Sequence, residues 1–139
     1  MYTADIVKKI MEKPYRLGWH NDSHDCLSMF LYFFEQCGIQ MPQEWNGWTR
    51  ENYVERWLRG EGRQEYIQFI HERTMPVNIN FMRERDVLIV ESKDGFISIA
   101  IYLGNNHCIA ITENIGVTVL PLWAIKPNIK EVRRIVKIP

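Results

Sequence analysis

Apolar positions follow two regimes along the chain. In the first half they recur at helical spacing. Ile6, Val7, Ile10 and Met11 fall on one face of a helix that Thr3 is placed to cap and that Pro14 ends or kinks. Residues 18–25, GWHNDSHD, are turn formers and potential caps, and they lead into residues 26–36, apolar on nearly every side. Such a helix belongs in the centre of a domain, and Gly38 supplies its C-terminal cap. Beyond a loop carrying Trp45 and Trp48, Thr49 is placed to cap a helix in which Tyr53, Val54, Trp57 and Leu58 share a face and Gly60 marks the end. A short helix over 64–72 follows, striped by Tyr66, Ile67 and Ile70, and Met75 with Pro76 marks the exit.

From there the period changes. Residues 87–90, 96–103, 108–112 and 117–120 are short β-branched or aromatic runs, separated by turns at 93–95, 104–106 and 114–116. They predict an antiparallel meander. Pro121 and Pro127 interrupt the chain before residues 132–138, expected as a final edge strand. Helices first and strands second predict one α+β domain over residues 1–139, with the central helix packed on the sheet. No internal repeat or low-complexity segment is visible.

Composition narrows the partners. With 139 residues, 46% of them hydrophobic, the chain is long enough to bury a core. Lysine plus arginine equal aspartate plus glutamate at 17 each, so charge gives no reason to expect nucleic acid or an anionic membrane. The longest apolar stretch, residues 27–34, is interrupted by Ser28 and stops at Glu35, short of the ~20 residues needed to span a bilayer. The N-terminus lacks the uninterrupted apolar core of a signal peptide, which predicts residence in the cytoplasm where the chain is made. Cys26, Cys37 and Cys108 are an odd set without paired spacing and predict reduced thiols.

Cys26 carries the first candidate chemistry. It follows Asp25 at the start of the central helix, where unpaired backbone N–H groups and the helix dipole stabilise a thiolate. A buried cysteine is also a good small core residue, so position alone does not make it a nucleophile. His20, Asp22, His24 and Cys26 include zinc-compatible ligand types, but their spacing matches no closed module and capping explains the same residues; no metal or other cofactor is expected. Trp45 and Trp48 are candidate binding residues, as an aromatic platform for a sugar or a partner protein, whereas Trp57 reads as core. Arg56, Arg59 and Arg63 with Glu55, Glu61 and Glu65 read as a solvated mixed-charge face.

The loop ending in Asp25-Cys26, the buried helix ending at Gly38-Ile39, and Pro42 together resemble the N-terminal half of the NlpC-type cell-wall peptidases, a papain-like fold. In the second half, Arg85-Asp86-Val87-Leu88-Ile89-Val90 is similar to the family's Gly-Asp-led strand. Ser98-Ile99-Ala100-Ile101-Tyr102-Leu103-Gly104 resembles its histidine-led strand ending in Tyr-Leu-Gly. The resemblance covers residues 16–122 and implies that Cys26 stands at the nucleophile position. It also implies that Ser98 stands where the general-base histidine is lost, and Ala110 where the residue that orients that histidine is lost. A serine hydroxyl is no base near neutral pH, so the resemblance implies a degenerate hydrolase. His107 lies past the turn, roughly 15 Å or more from the Ser98 end at strand rise. His24 and His20 precede the helix and would have to fold back across the loop, while His71 reads as a solvated residue at a helix end.

Among NlpC-related proteins, those encoded with bacteriophage tail genes similarly keep the Asp-Cys helix start and lack the strand histidine. That resemblance implies a structural or assembly component of the phage tail, near its tip or at a tail junction. It implies other virion tail proteins as partners and a location in the virion after synthesis in the host cytoplasm. Two alternatives stay open: a cysteine endopeptidase or amidase that cleaves peptidoglycan during phage entry using His24 or another base, and a non-catalytic module that binds cell-wall fragments.

Overall fold

In the computed structural model, residues 2–12, 26–40, 44–45, 47–49, 51–59, 62–93, 95, 97–112 and 116–136 are described, with backbone only for 26, 27, 57, 62–66 and 112. Four helices, α1 (Thr3–Met11), α2 (Cys26–Gln36), α3 (Tyr53–Leu58) and α4 (Gly62–His71), precede a six-stranded sheet. Its strands are β1 (Thr74–Val77), β2 (Val87–Glu91), β3 (Ile97–Gly104), β4 (His107–Thr112), β5 (Gly116–Pro121) and β6 (Ile129–Ile135). Every pairing is antiparallel, in the order β1-β6-β2-β3-β4-β5. This is the expected α+β architecture.

The sheet separates two apolar layers, because alternate residues of each strand point to opposite faces. On the first face Val87, Ile89, Ile99, Ile101, Ile109 and Ile111 pack with Ile6 and Ile10 of α1, Met29, Phe30, Phe33 and Phe34 of α2, and Phe69 and Ile70 of α4. Phe30 and Phe34 pack with ring centroids 5.0 Å apart and planes tilted by 59°, and each buried ring contributes roughly 1.5–3 kcal/mol. On the second face Leu88, Ala100, Cys108, Leu122 and Val132 form a smaller cluster, joined by Ala110, Val90 and Tyr102. The 3-10 turns at Leu122–Ala124 and Lys126–Asn128 pass between β5 and β6.

Four local expectations change. Thr3 does not cap α1: Tyr2 holds the cap position without a side-chain bond, and the Thr3 hydroxyl instead accepts from Arg85 Nε at 3.0 Å. Residues 74–77 are a strand and not only a helix exit; Pro76 is tolerated because β1 is an edge. The last strand begins at Ile129 and lies between β1 and β2, so it is interior. Leu58 is exposed and does not join the buried face of α3, whose Tyr53 does. Thr49 does cap: its hydroxyl accepts from the Asn52 N–H while Asn52 Oδ1 accepts from the Thr49 N–H, a reciprocal pair that starts the turn into α3. Pro14, the loop 18–25 and Gly60 lie outside the described residues.

Candidate functional site

Cys26 is the first residue of α2. The helix owes its position to its apolar surface: Met29, Phe30 and Phe33 are fully buried, and it lies against β3 and α1. Its far end is fixed by Gly38 at φ +86, where the Gly38 N–H donates to Glu35 and the Ile39 N–H donates to Phe34. Those two bonds make a complete Schellman motif, and Ile39 packs on the same core as Phe34. The side chain of Cys26 lies outside the described set, as do His20, Asp22, His24 and Asp25.

Ser98 is the second residue of β3, half-buried and paired with Val90 of β2. Ala110 lies opposite Ala100 on β4. Ser98 is two residues from Ala100, so strand alternation puts Ser98 and Ala110 on one face as diagonal neighbours, a separation of roughly 7–8 Å. That distance would suit a ring and a partner that orients it. The residues present supply one short hydroxyl and one methyl group, so no base–orienter pair exists there. Ala110 packs with the second cluster, whereas α2 sends its aromatic rings into the first.

The sequence profile of the NlpC/P60 family matches residues 12–134. This chain belongs to the NlpC/P60 family. Solved structures agree at the level of the fold. An NlpC/P60 family protein from Bacillus cereus is 16% identical with a TM-score of 0.63, over 100% of this chain and 41% of that one. A protein similar to lipoprotein, of the NLP/P60 family of Staphylococcus aureus, is 18% identical with a TM-score of 0.62, over 96% and 40%. The present chain thus spans about two fifths of the length of each. RipD from Mycobacterium tuberculosis, described as a non-catalytic NlpC/p60 domain protein adapted to a peptidoglycan-binding function, matches over 98% of this chain and 99% of its own, with 15% identity and a TM-score of 0.58. Among curated proteins, none matches the sequence significantly.

The described imidazoles of this NlpC/P60 domain serve other contacts. His71, the last residue of α4, stands exposed at the helix end as expected and bonds Glu131 Oε2 through Nε2 at 3.0 Å, which ties α4 to β6. Glu131 also accepts from Arg133, whose Nε and Nη2 reach the Thr74 hydroxyl and carbonyl. Burial alone would raise the Glu131 carboxyl, but the bonds from His71 and Arg133 hold it below its ordinary value. His107 starts β4 at the turn end of the β3–β4 hairpin, opposite the Ser98 end, and its Nδ1 lies 2.7 Å from the Asn105 carbonyl. Among the described residues no group of three His, Cys, Asp or Glu side chains is arranged to hold a metal. No helix among them is long and apolar enough to cross a membrane.

The other thiols of the NlpC/P60 domain are poor nucleophiles. Burial pushes Cys108 up to about 11, with its Sγ 3.6 Å from the Leu120 carbonyl. Burial also raises Cys37, against a smaller lowering by Arg85. The two loop tryptophans do not form an open platform. Trp48 is buried, with its ring against Tyr53 and under the Arg56 guanidinium. Trp45 is half-buried edge-on to Phe69, and its indole N–H donates to Glu72 at 3.0 Å. The backbones of Trp45 and Trp48 pair through an antiparallel bridge, and Trp48 belongs to the buried core.

One buried ion pair was not foreseen. Asp86, 1% exposed, accepts from Arg134 Nε at 2.8 Å and Nη2 at 2.9 Å, and from the Arg83 N–H at 2.7 Å. This two-pronged contact fixes the entry of β2 to β6. The aspartate was visible in the Arg85-Asp86 motif, but its partner is 48 residues away.

Proposed function

We propose that this NlpC/P60 domain is catalytically silent and serves as a structural or assembly component of a bacteriophage tail, at its tip or at a tail junction. The observation that carries the proposal is the pair Ser98 and Ala110, side by side on one face where the family resemblance places a base and its orienting residue. Neither side chain takes up a proton near neutral pH, and the ring of neither described histidine is presented there. A scaffold role is supported by the surface beyond β1. Met75 and Phe81 are 50% and 71% exposed, and a hollow of about 410 Å³ on the same side is of mixed character, lined by Pro76, Val77, Ile79, Ile129 and Val132 together with Asn78, Lys130 and Glu131. Exposed apolar surface of this kind marks contact with other proteins. The tail assignment follows the likeness to the tail-encoded branch in its Asp25-Cys26 helix start and histidine-free strand. The partners are then other virion tail proteins, and the location is the virion tail after synthesis in the host cytoplasm. Mass spectrometry of purified virions tests it: the chain is expected in a fixed copy number per particle. A chain found in the lysate and absent from particles would sink the tail role.

A second reading, binding of cell-wall fragments without cleavage, is favoured by the likeness to the non-catalytic RipD over nearly the whole of both chains. Saturable heat of binding with muropeptides that are recovered intact would support it. No heat at high fragment concentration would dispose of it.

A further inference from the structure

β1 stops short of the start of β6. Its last pair is Val77 with Val132, whereas β6 begins at Ile129. Asn78 turns the chain away there: its Oδ1 accepts from the Asn80 N–H, and its carbonyl accepts from the Phe81 N–H. On the other side of β6 the register shifts. Ile89 lies opposite Glu131 and Val90 opposite Ile129, so Lys130 is skipped and faces no residue of β2. Lys130 therefore has no strand partner on either side. The space that a longer β1 would fill is open. The hollow of about 410 Å³ lies there, between Val77 and Ile79 on one wall and Ile129 and Val132 on the other. A second hollow, of about 330 Å³, shares Ile129 and Lys130 with the first and continues past Asn128 to Glu91 and Lys93. The two form one trough along the line of β1, apolar at its near end and charged at its far end.

We propose that this trough takes an extended segment of a partner protein, laid in the line of β1 as an added strand, with an aliphatic side chain first and a carboxylate after it. The unpartnered stretch of β6 selects a strand, because an extended backbone offers N–H and C=O groups at sheet spacing and a helix does not. At ~3.3 Å per residue, about five residues of the partner fill the trough. Val77, Ile79 and Ile129 select the aliphatic side chain. Charge selects the acidic one. Both carboxylates along the trough are already held, Glu91 by Lys130 at 3.0 Å and Glu131 by His71 and Arg133. Lys93 at the far end, and Lys126 just before the lining residue Pro127, pair with no carboxylate among the described residues. A strand that runs as β1 does reaches the apolar walls first and these two lysines next. The proposal rests on the scaffold reading of this surface and names the chemistry of the partner; it fails or stands apart from the tail role, which virion composition decides.

Fluorescence anisotropy of a labelled peptide, Ser-Thr-Ile-Val-Ile-Asp-Glu-Ser, titrated with the full chain tests it. Saturable binding is expected, weakened at least tenfold when the three central amides of the peptide are N-methylated, a change that leaves the protein untouched. The double variant Lys93→Glu with Lys126→Glu is expected to lose the acidic peptide by a similar factor. It is also expected to bind the version ending Lys-Lys-Ser more tightly than the wild type does, a gain that a misfolded variant would not show. No saturable binding up to about 1 mM overturns the proposal. So does an N-methylated peptide that binds equally well, or a double variant whose preference between the two peptides is unchanged.

Discussion

Arg85 sits at φ +76, in the left-handed region that side chains with a Cβ enter at a cost of roughly 1–2 kcal/mol. It occupies the place of glycine in the family's Gly-Asp strand entry, so the backbone keeps the glycine shape while the side chain adds a bond to Thr3. Two substitutions separate these effects. Arg85→Ala loses the Thr3 bond and keeps the backbone cost, whereas Arg85→Gly loses the bond and removes that cost. Denaturant unfolding is expected to find the glycine variant more stable than the alanine variant by about 1 kcal/mol. An alanine variant equal or superior in stability would show that the residue is not strained. At this scale the resemblance singled out the serine at 98 and the alanine at 110, but the left-handed backbone at Arg85 came only from the structure. It could not show where Arg134 or Glu131 would find partners, because those contacts join residues 48 and 60 apart in sequence. Nor did it show that Trp48 is core, since an indole in a loop reads alike whether it covers the core or faces water.

Among the elements, α2 was legible from end to end, because a helix apolar on all sides, started after a polar loop and stopped by Gly38, leaves little freedom. The stop is testable. A Cβ at Gly38 meets no atom within 4 Å, so Gly38→Ala isolates the backbone cost of φ +86 from any clash. It is expected to destabilise the domain by about 1 kcal/mol, a fall of roughly 3 °C in thermal unfolding. An unchanged melting temperature would mean that the Schellman closure adds nothing to the helix. The strands were legible where turns bounded them, from 87 to 120. β1 was missed because four residues containing Pro76 carry no alternation of their own and become a strand only by pairing with β6. β6 was read as an edge for the same reason: its outer neighbour was not recognised, and sequence spacing does not reveal a strand inserted between β1 and β2.

The molecule combines an NlpC/P60 frame with a serine at 98 and an alanine at 110, the two positions on which the proposed catalytic silence rests. α2 begins at Cys26 and is held by a core of Phe30, Phe33 and Phe34, over a sheet whose register sets 98 and 110 as neighbours. The proposed loss lies in two side chains. On the proposed reading the domain serves in an assembly without cutting, because its packing and its surface do not depend on the proton transfer. The functional reading rests on the proposed catalytic silence. The measurement that tests it most directly is release of soluble fragments from purified peptidoglycan by the wild type and by Cys26→Ala. Neither protein is expected to release fragments above the buffer control. Release by the wild type that disappears in Cys26→Ala would contradict it, and would require an imidazole from the segment before α2 to serve as the base.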